Sequence, residues 1–182
     1  MQPARRFERD LVALADEEHA LFTLADLAAL LPGHSAGALK ALVSRVAANG
    51  GLERLCRGLY WFPHPHYPAD LVLYHAAARL RAGTFSYLSL ESVLSDAGVI
   101  SQIPMNWITV MTAGRSGRFD CGRFGTIEFV HTRKTPERLR EALSYDPRCR
   151  LWRASVAQAL EDMRDARRNL DLIDWNAAHE LV

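Results

Sequence analysis

The chain lacks any apolar run long enough to span a bilayer. Its uncharged stretches are broken by Pro, Gly or Asn well short of the roughly 20 residues a spanning helix needs. The opening "MQPARRFERDL" has no apolar core of signal-peptide length, so a cytoplasmic protein without membrane contact is expected. Cysteine is scarce. Cys56, Cys121 and Cys149 are scattered and odd in number, which builds no disulfide framework and fits a reducing compartment. His64 and His66 sit two apart beside Cys56, but a structural zinc site wants four N or S ligands in paired spacings and no second Cys pair exists, so no metal is expected.

Catalytic signatures are missing as well. Gly114-Arg-Ser-Gly117 lacks the Gly-Lys-Ser/Thr of a phosphate loop and reads as a basic hairpin tip. Ser86, Ser89 and Ser92 with His75 and Glu91 supply hydrolase residue types without a Gly-x-Ser-x-Gly elbow, so the serines read as helix caps. A metal-dependent nuclease would use Asp120 and Glu128 with a following Lys, yet Glu128 is followed by Phe129 and Val130. The expectation is a protein that is not an enzyme and takes no cofactor.

Net charge is also nearly absent, +1 from 22 basic and 21 acidic residues, but its distribution is uneven. Residues 1–34 set Arg5, Arg6 and Arg9 against Glu8, Asp10, Asp16, Glu17, Glu18 and Asp26. Residues 35–62 set Lys40, Arg45, Arg54 and Arg57 against Glu53 alone. A balanced chain does not wrap nucleic acid, whereas a local basic stripe is the footprint of a small sequence reader.

That stripe falls on an ordered set of elements. Phe7, Leu11, Leu14 and Ala15, with Leu21 beyond, recur at helical spacing and predict a helix over about residues 5–19. Thr23 can cap a second helix, "LADLAALL", stopped by Pro32-Gly33. Ser35 can cap a third, with Leu39, Leu42, Val43 and Val46 on its apolar face and Asn49-Gly50-Gly51 at its end. "GLERL" and "GLYWF" then pair as a ribbon around Cys56-Arg57-Gly58. This is the order of a winged helix-turn-helix. In it the third helix enters the major groove of double-stranded DNA, placing His34, Ser35, Lys40, Ser44 and Arg45 near base edges. Arg54 and Arg57 on the wing would contact the backbone or minor groove.

The proline-rich "PHPHYPAD" at 63–70 reads as a linker, giving a DNA-binding domain at 1–63 and a second domain at 70–182. In the second, Asp70 would cap "LVLYHAAARLRAG", and Ser89 would cap a helix reaching Asp96, ended by Gly98. "WITVMTA" and "GTIEFVHT" read as strands, the latter alternating Ile127, Phe129 and His131 against Glu128 and Val130. Trp152, Val156, Ala159, Leu160 and Met163 predict helix from about Arg148, with a short one at "DWNAAHELV". The expected class is α+β, a winged helix-turn-helix followed by a small mixed α/β domain with a helical C terminus. Arg115, Arg118, Arg123, Arg133 and Lys134, interleaved with Phe119 and Phe124, suggest a second contact surface for nucleic acid or a protein partner; a solvated strand edge is the competing reading.

The wing "LCRGLYWFP", followed by "FSYLSLESVLSDAGVIS", "WITVMTAGRSGRF" and "FGTIEFVHT", resembles the AbiEi family of antitoxins from type IV toxin-antitoxin systems across most of the chain. The resemblance implies an N-terminal winged helix repressing its own operator, with inverted repeats as the expected target. It also implies a C-terminal domain that counters a nucleotidyltransferase-type toxin without a stable complex. Arg54, Arg57, Gly58 and Tyr60 match the family's wing, while the region after residue 148 is more compact than the family pattern. Two other classes stay open: a winged helix that docks protein or regulates transcription without a toxin, and an enzyme carrying a DNA-reading head.

Overall fold

The computed structural model describes residues 3–16, 19–101 and 106–182. The chain is mixed α+β and divides into two compact units, Met1–Asp70 and Leu71–Val182.

In the first unit α1 (Pro3–Leu14) buries Phe7, Leu11 and, just past its end, Ala15 in a core with Phe22, Leu27, Leu39, Leu42, Val43 and Val46. The buried stripe is narrower than the sequence suggests. Leu14 is 46% exposed, and Leu21 belongs to a strand, β1 (Leu21–Thr23). The helix therefore stops at Leu14 rather than about residue 19; residues 17 and 18 of that expectation lie outside the described residues. Thr23 then caps α2 (Leu24–Ala29) through a reciprocal box: Asp26 N–H donates to Thr23 Oγ1 at 3.2 Å, and Thr23 N–H donates to Asp26 Oδ2 at 2.7 Å.

Helix α3 (Ala36–Ala48) starts at Ser35, whose Oγ accepts Ala38 N–H at 3.2 Å. It ends in a Schellman arrangement, in which Gly50 N–H reaches Ala47 O and Gly51 N–H reaches Val46 O. Gly50 takes φ +81°, a conformation that costs a side chain but not a glycine. The reversal delivers the chain to β2 (Glu53–Cys56), which turns through Arg57-Gly58 into β3 (Leu59–Trp61). The register shifts between Arg54 and Cys56, so Leu55 is an extra residue on β2. That bulge explains why consecutive Leu55 and Cys56 are both buried. Strand β1 pairs antiparallel with β3, giving a three-stranded sheet of order β1-β3-β2.

A 3-10 turn, Ala69–Leu71, leads from the first unit into the second, which continues with α4 (Val72–Leu80). Asp70 lies within the turn, and Leu71 occupies the cap position without a side-chain bond, so the expected Asp70 cap does not form. The strands are β4 (Ser86–Leu88), β5 (Trp107–Thr112), β6 (Gly117–Asp120), β7 (Thr126–His131), β8 (Leu143–Asp146) and β9 (Leu151–Ala154). They form one mixed sheet of order β6-β7-β5-β4-β9-β8. Helix α5 (Leu90–Asp96) follows β4, and α6 (Val156–Asp165) and α7 (Trp175–Glu180) follow β9.

Three expectations are corrected here. Because β7 lies between β5 and β6, Gly114–Gly117 joins non-adjacent strands and is not a hairpin tip. Trp152 sits on β9, and the helix begins only at Val156 behind a Ser155 cap. Glu128 is not a solvent-facing alternate; it is buried and ion-paired.

Candidate nucleic-acid interface

The apolar positions of α3 fix which side meets solvent. With Leu39, Leu42, Val43 and Val46 packed inward, Gly37, Lys40, Ala41, Ser44, Arg45 and Ala48 share the exposed face. The helix contains no carboxylate, and its outer face is small except for two long cations. A helix of 13 residues is about 20 Å long and about 10–12 Å across with side chains, which matches a major groove about 12 Å wide. Small outer residues bring the backbone closer to whatever the face meets.

His34 and Ser35 are exposed at the N-terminal end of that face. Ser35 has a structural duty, because its Oγ accepts the Ala38 amide; only its hydroxyl hydrogen and second lone pair remain for a ligand. Arg54 on β2 and Arg57 in the turn are exposed, and Gly58 at φ +85° makes the tight turn that presents Arg57. No ion pair ties Lys40, Arg45, Arg54 or Arg57 to another described residue. Three carboxylates of this unit are occupied elsewhere: Asp10 pairs with Arg6 and Arg9 on α1, Asp16 pairs with His19, and Asp26 closes the α2 box. The acidic part is thus α1 and α2, and the basic part α3 and the ribbon.

The five cations singled out in the second unit do not form one surface. Lys134 is turned inward, its side chain 8% exposed, with Nζ at 2.8 Å from Asp162 Oδ1, 2.8 Å from Asp165 Oδ2 and 3.1 Å from Glu161 Oε1. That corrects its assignment as a contact residue, since a cation held by three carboxylates has no charge to offer a ligand. Arg118 lies over the Trp107 ring and pairs with Glu128 at 3.2 Å. The other oxygen of Glu128 accepts Arg168 at 3.0 Å, so Glu128 is a buried clasp between two arginines. Arg123 sits 4.7 Å over the Phe124 ring. Arg115 and Arg133 are exposed.

The residues of hydrolase type are each bound in a different place. Ser86 Oγ donates to Thr112 Oγ1, the His75 ring meets the Arg148 carbonyl, and Glu91 pairs with Arg168. Ser89 does not cap α5 with its side chain; its Oγ donates to the buried Asp162 at 2.6 Å. The rings of His64 and His66 lie 5.8 Å apart, and no cluster of three or more His, Cys, Asp or Glu side chains suited to a metal occurs among the described residues. No described helix is long and apolar enough to cross a membrane.

Sequence reasoning missed two exposed aromatics, Tyr145 and Trp152, because Trp152 fits the helical spacing of α6. The alternation in "LSYD" was the available signal. Compared with known proteins, the chain matches no family model and no characterised relative.

Proposed function

We propose that the chain is a DNA-binding transcriptional repressor of the winged-helix class, with α3 as its reading helix, and that it is the antitoxin of an AbiE-like operon. The observation that carries the DNA reading is the solvent face of α3, which bears Lys40 and Arg45, small residues around them, no carboxylate and no ion pair. The order α1-β1-α2-α3-β2-β3 with a β1-β3-β2 sheet supports the winged-helix assignment, in which β2 and β3 are the wing. Lys40, Ser44 and Arg45 read base edges with His34 and Ser35 at the helix entrance. Arg54 and Arg57 grip the flanking backbone.

The antitoxin half rests on the residues "SYLSLESVLSDAGVI" and the strands after them, through their resemblance to the AbiEi family. In this reading the second unit, with Arg115 and Arg133 exposed, counters a nucleotidyltransferase-type toxin encoded beside it, without a lasting complex. The target DNA is the protein's own operator, with inverted half-sites.

Footprinting on the upstream region tests the first half. Lys40→Ala and Arg45→Ala should each weaken protection about 5- to 150-fold and blur sequence preference, as loss of a base contact does. Arg57→Ala should weaken binding to all sequences alike. With about four to six phosphate contacts, log affinity should fall against log salt with a slope near −4 to −5. Salt-insensitive binding, or full protection by the Lys40→Ala/Arg45→Ala double variant, refutes the interface. Co-expression with the neighbouring gene product tests the second half: rescue of growth supports it, and growth arrest despite expression of this chain removes it.

A further inference from the structure

Strands β8 and β9 leave an aromatic pair in solvent. Tyr145 and Trp152 face each other directly across the ladder, their rings 5.5 Å apart and edge-on, yet they stay 52% and 44% exposed. A cross-strand aromatic pair steadies a hairpin, but that duty does not require two large rings at the mouth of a groove. The groove is open, about 330 Å³, and lined by Phe85, Tyr145, Leu151 and Trp152 with Arg81 and Arg150. Its size falls within the roughly 300–1,000 Å³ of small-molecule sites.

Charge narrows the occupant. No carboxylate lines the groove, while two arginines do. Arg81 is held rigidly, its guanidinium 4.6 Å over the Phe129 ring and its Nη2 donating to the Arg115 carbonyl at 2.9 Å, and no described carboxylate pairs with it. Asp146, next to Tyr145 in sequence, is committed to the turn, where Oδ1 accepts the amides of Arg148 and Cys149. Arg150 stands in that turn at φ +57°, a left-handed conformation that glycine adopts without strain, so the turn keeps an arginine where a smaller residue is easier. Flat rings beside the fixed Arg81 cation, in a lining that holds no carboxylate, suit a ligand that is both planar and anionic.

We propose that this groove binds an unpaired base of single-stranded nucleic acid, with Trp152 stacking on the base, Tyr145 bracing that ring edge-on, and Arg150 and Arg81 attracting its phosphates. An acidic peptide would satisfy the cations but leave the ring faces without a flat partner. The site lies within residues 71–182 and does not depend on the duplex-reading face of α3.

The test uses the full chain carrying Lys40→Ala and Arg45→Ala, so that duplex binding does not intrude. Fluorescein-labelled strands of about twelve nucleotides, oligouridine and oligodeoxyuridine, which differ only in the sugar, are titrated by anisotropy beside an abasic strand of equal charge, with adenosine monophosphate as competitor. Binding of either base-bearing strand over the abasic one is expected, and the preferred sugar identifies RNA or DNA as the source; displacement by the mononucleotide identifies a single-nucleotide site. Trp152→Ala should weaken binding about 5- to 150-fold, the loss of one stacked base, and Trp152→Phe should restore most of it. Equal binding of the abasic strand, no binding of any strand, or an unchanged affinity in Trp152→Ala overturns the proposal.

Discussion

Replacing Lys134 by Met removes the cation from a buried carboxylate and isolates the effect of that charge. Asp162 is fully buried, and Lys134 Nζ lies 2.8 Å from its Oδ1. Breaking a buried pair by deleting one partner costs about 3–5 kcal/mol, because the remaining charge stays desolvated. Two other donors remain on Asp162, the Ser89 hydroxyl at 2.6 Å and the Gln158 amide at 2.9 Å, which places Lys134→Met near the lower figure, about 3 kcal/mol. Met preserves most of the stem packing, so little of the loss is cavity. Three of the four tryptophans, Trp107, Trp152 and Trp175, lie in residues 71–182, so fluorescence during urea unfolding reports that unit. With a denaturant slope of about 1–3 kcal/mol per molar, the midpoint should fall by about 1–3 M. Adding Asp162→Asn to Lys134→Met should recover much of the loss, since the orphaned charge is then gone. Burial alone would lower the Lys134 pKa, but the hydrogen bonds it donates to Asp162, Asp165 and Glu161 outweigh that and hold it above the ordinary lysine value. The stabilisation is therefore complete at neutral pH and is lost as pH rises through that raised value, so wild type and Lys134→Met should converge at strongly alkaline pH. A loss under about 1 kcal/mol, the range of exposed pairs, would refute the buried-clasp account.

Other substitutions probe particular joints. Gly125→Ala should destabilise the second unit by at least about 3 kcal/mol in the same urea assay, because Gly125 sits at φ +113° and a Cβ there would meet the Asn106 carbonyl oxygen at 1.8 Å. Ser35→Ala should cost about 0.5–2 kcal/mol of first-unit stability through the lost α3 cap. Ser35→Asp should keep the cap yet abolish operator binding, with thermal melting and footprinting separating the two effects. Asp146 loses some preference for its charged form by burial but more than regains it from the amides of Cys149 and Arg148, leaving its pKa below the usual aspartate value. Its contribution should be present above the ordinary aspartate pKa and vanish as pH falls through the lower folded value, and Asp146→Ala should remove that part of the acid transition.

The sequence made local decisions legible and concealed pairings that depend on distant residues. Thr23, Ser35 and Gly50 act within one turn of their own position, and the caps at α2 and α3 follow from that short reach. Strand β1 is three residues long, too short for a period-2 pattern to show, and its existence depends on β3 nearly forty residues later. Trp152 illustrates a competing period: its spacing to Val156 fits a helix, but pairing with Tyr145 on β8 and Tyr87 on β4 decides for strand. Ser89 looked like a cap because its place before α5 is right, yet Asp162, 73 residues on, takes its hydroxyl.

The same distinction governs the two basic stretches, which differ little in composition. On α3 the cations lie at positions 40 and 45 of a helix whose other side is fully apolar, so burial of Leu39, Leu42, Val43 and Val46 forces them outward, and no acid within the helix can draw them back. Between residues 115 and 134 the cations are spread along strands and their connections, where a neighbour on the next strand or on α6 can reach Arg118 and Lys134. Glu128 reaches Arg118, Asp162 reaches Lys134, and Arg118 and Arg123 lie over the rings of Trp107 and Phe124. A basic run thus becomes a binding face only when the fold leaves its charges without an internal partner. That condition holds for α3, and it fails for Lys134.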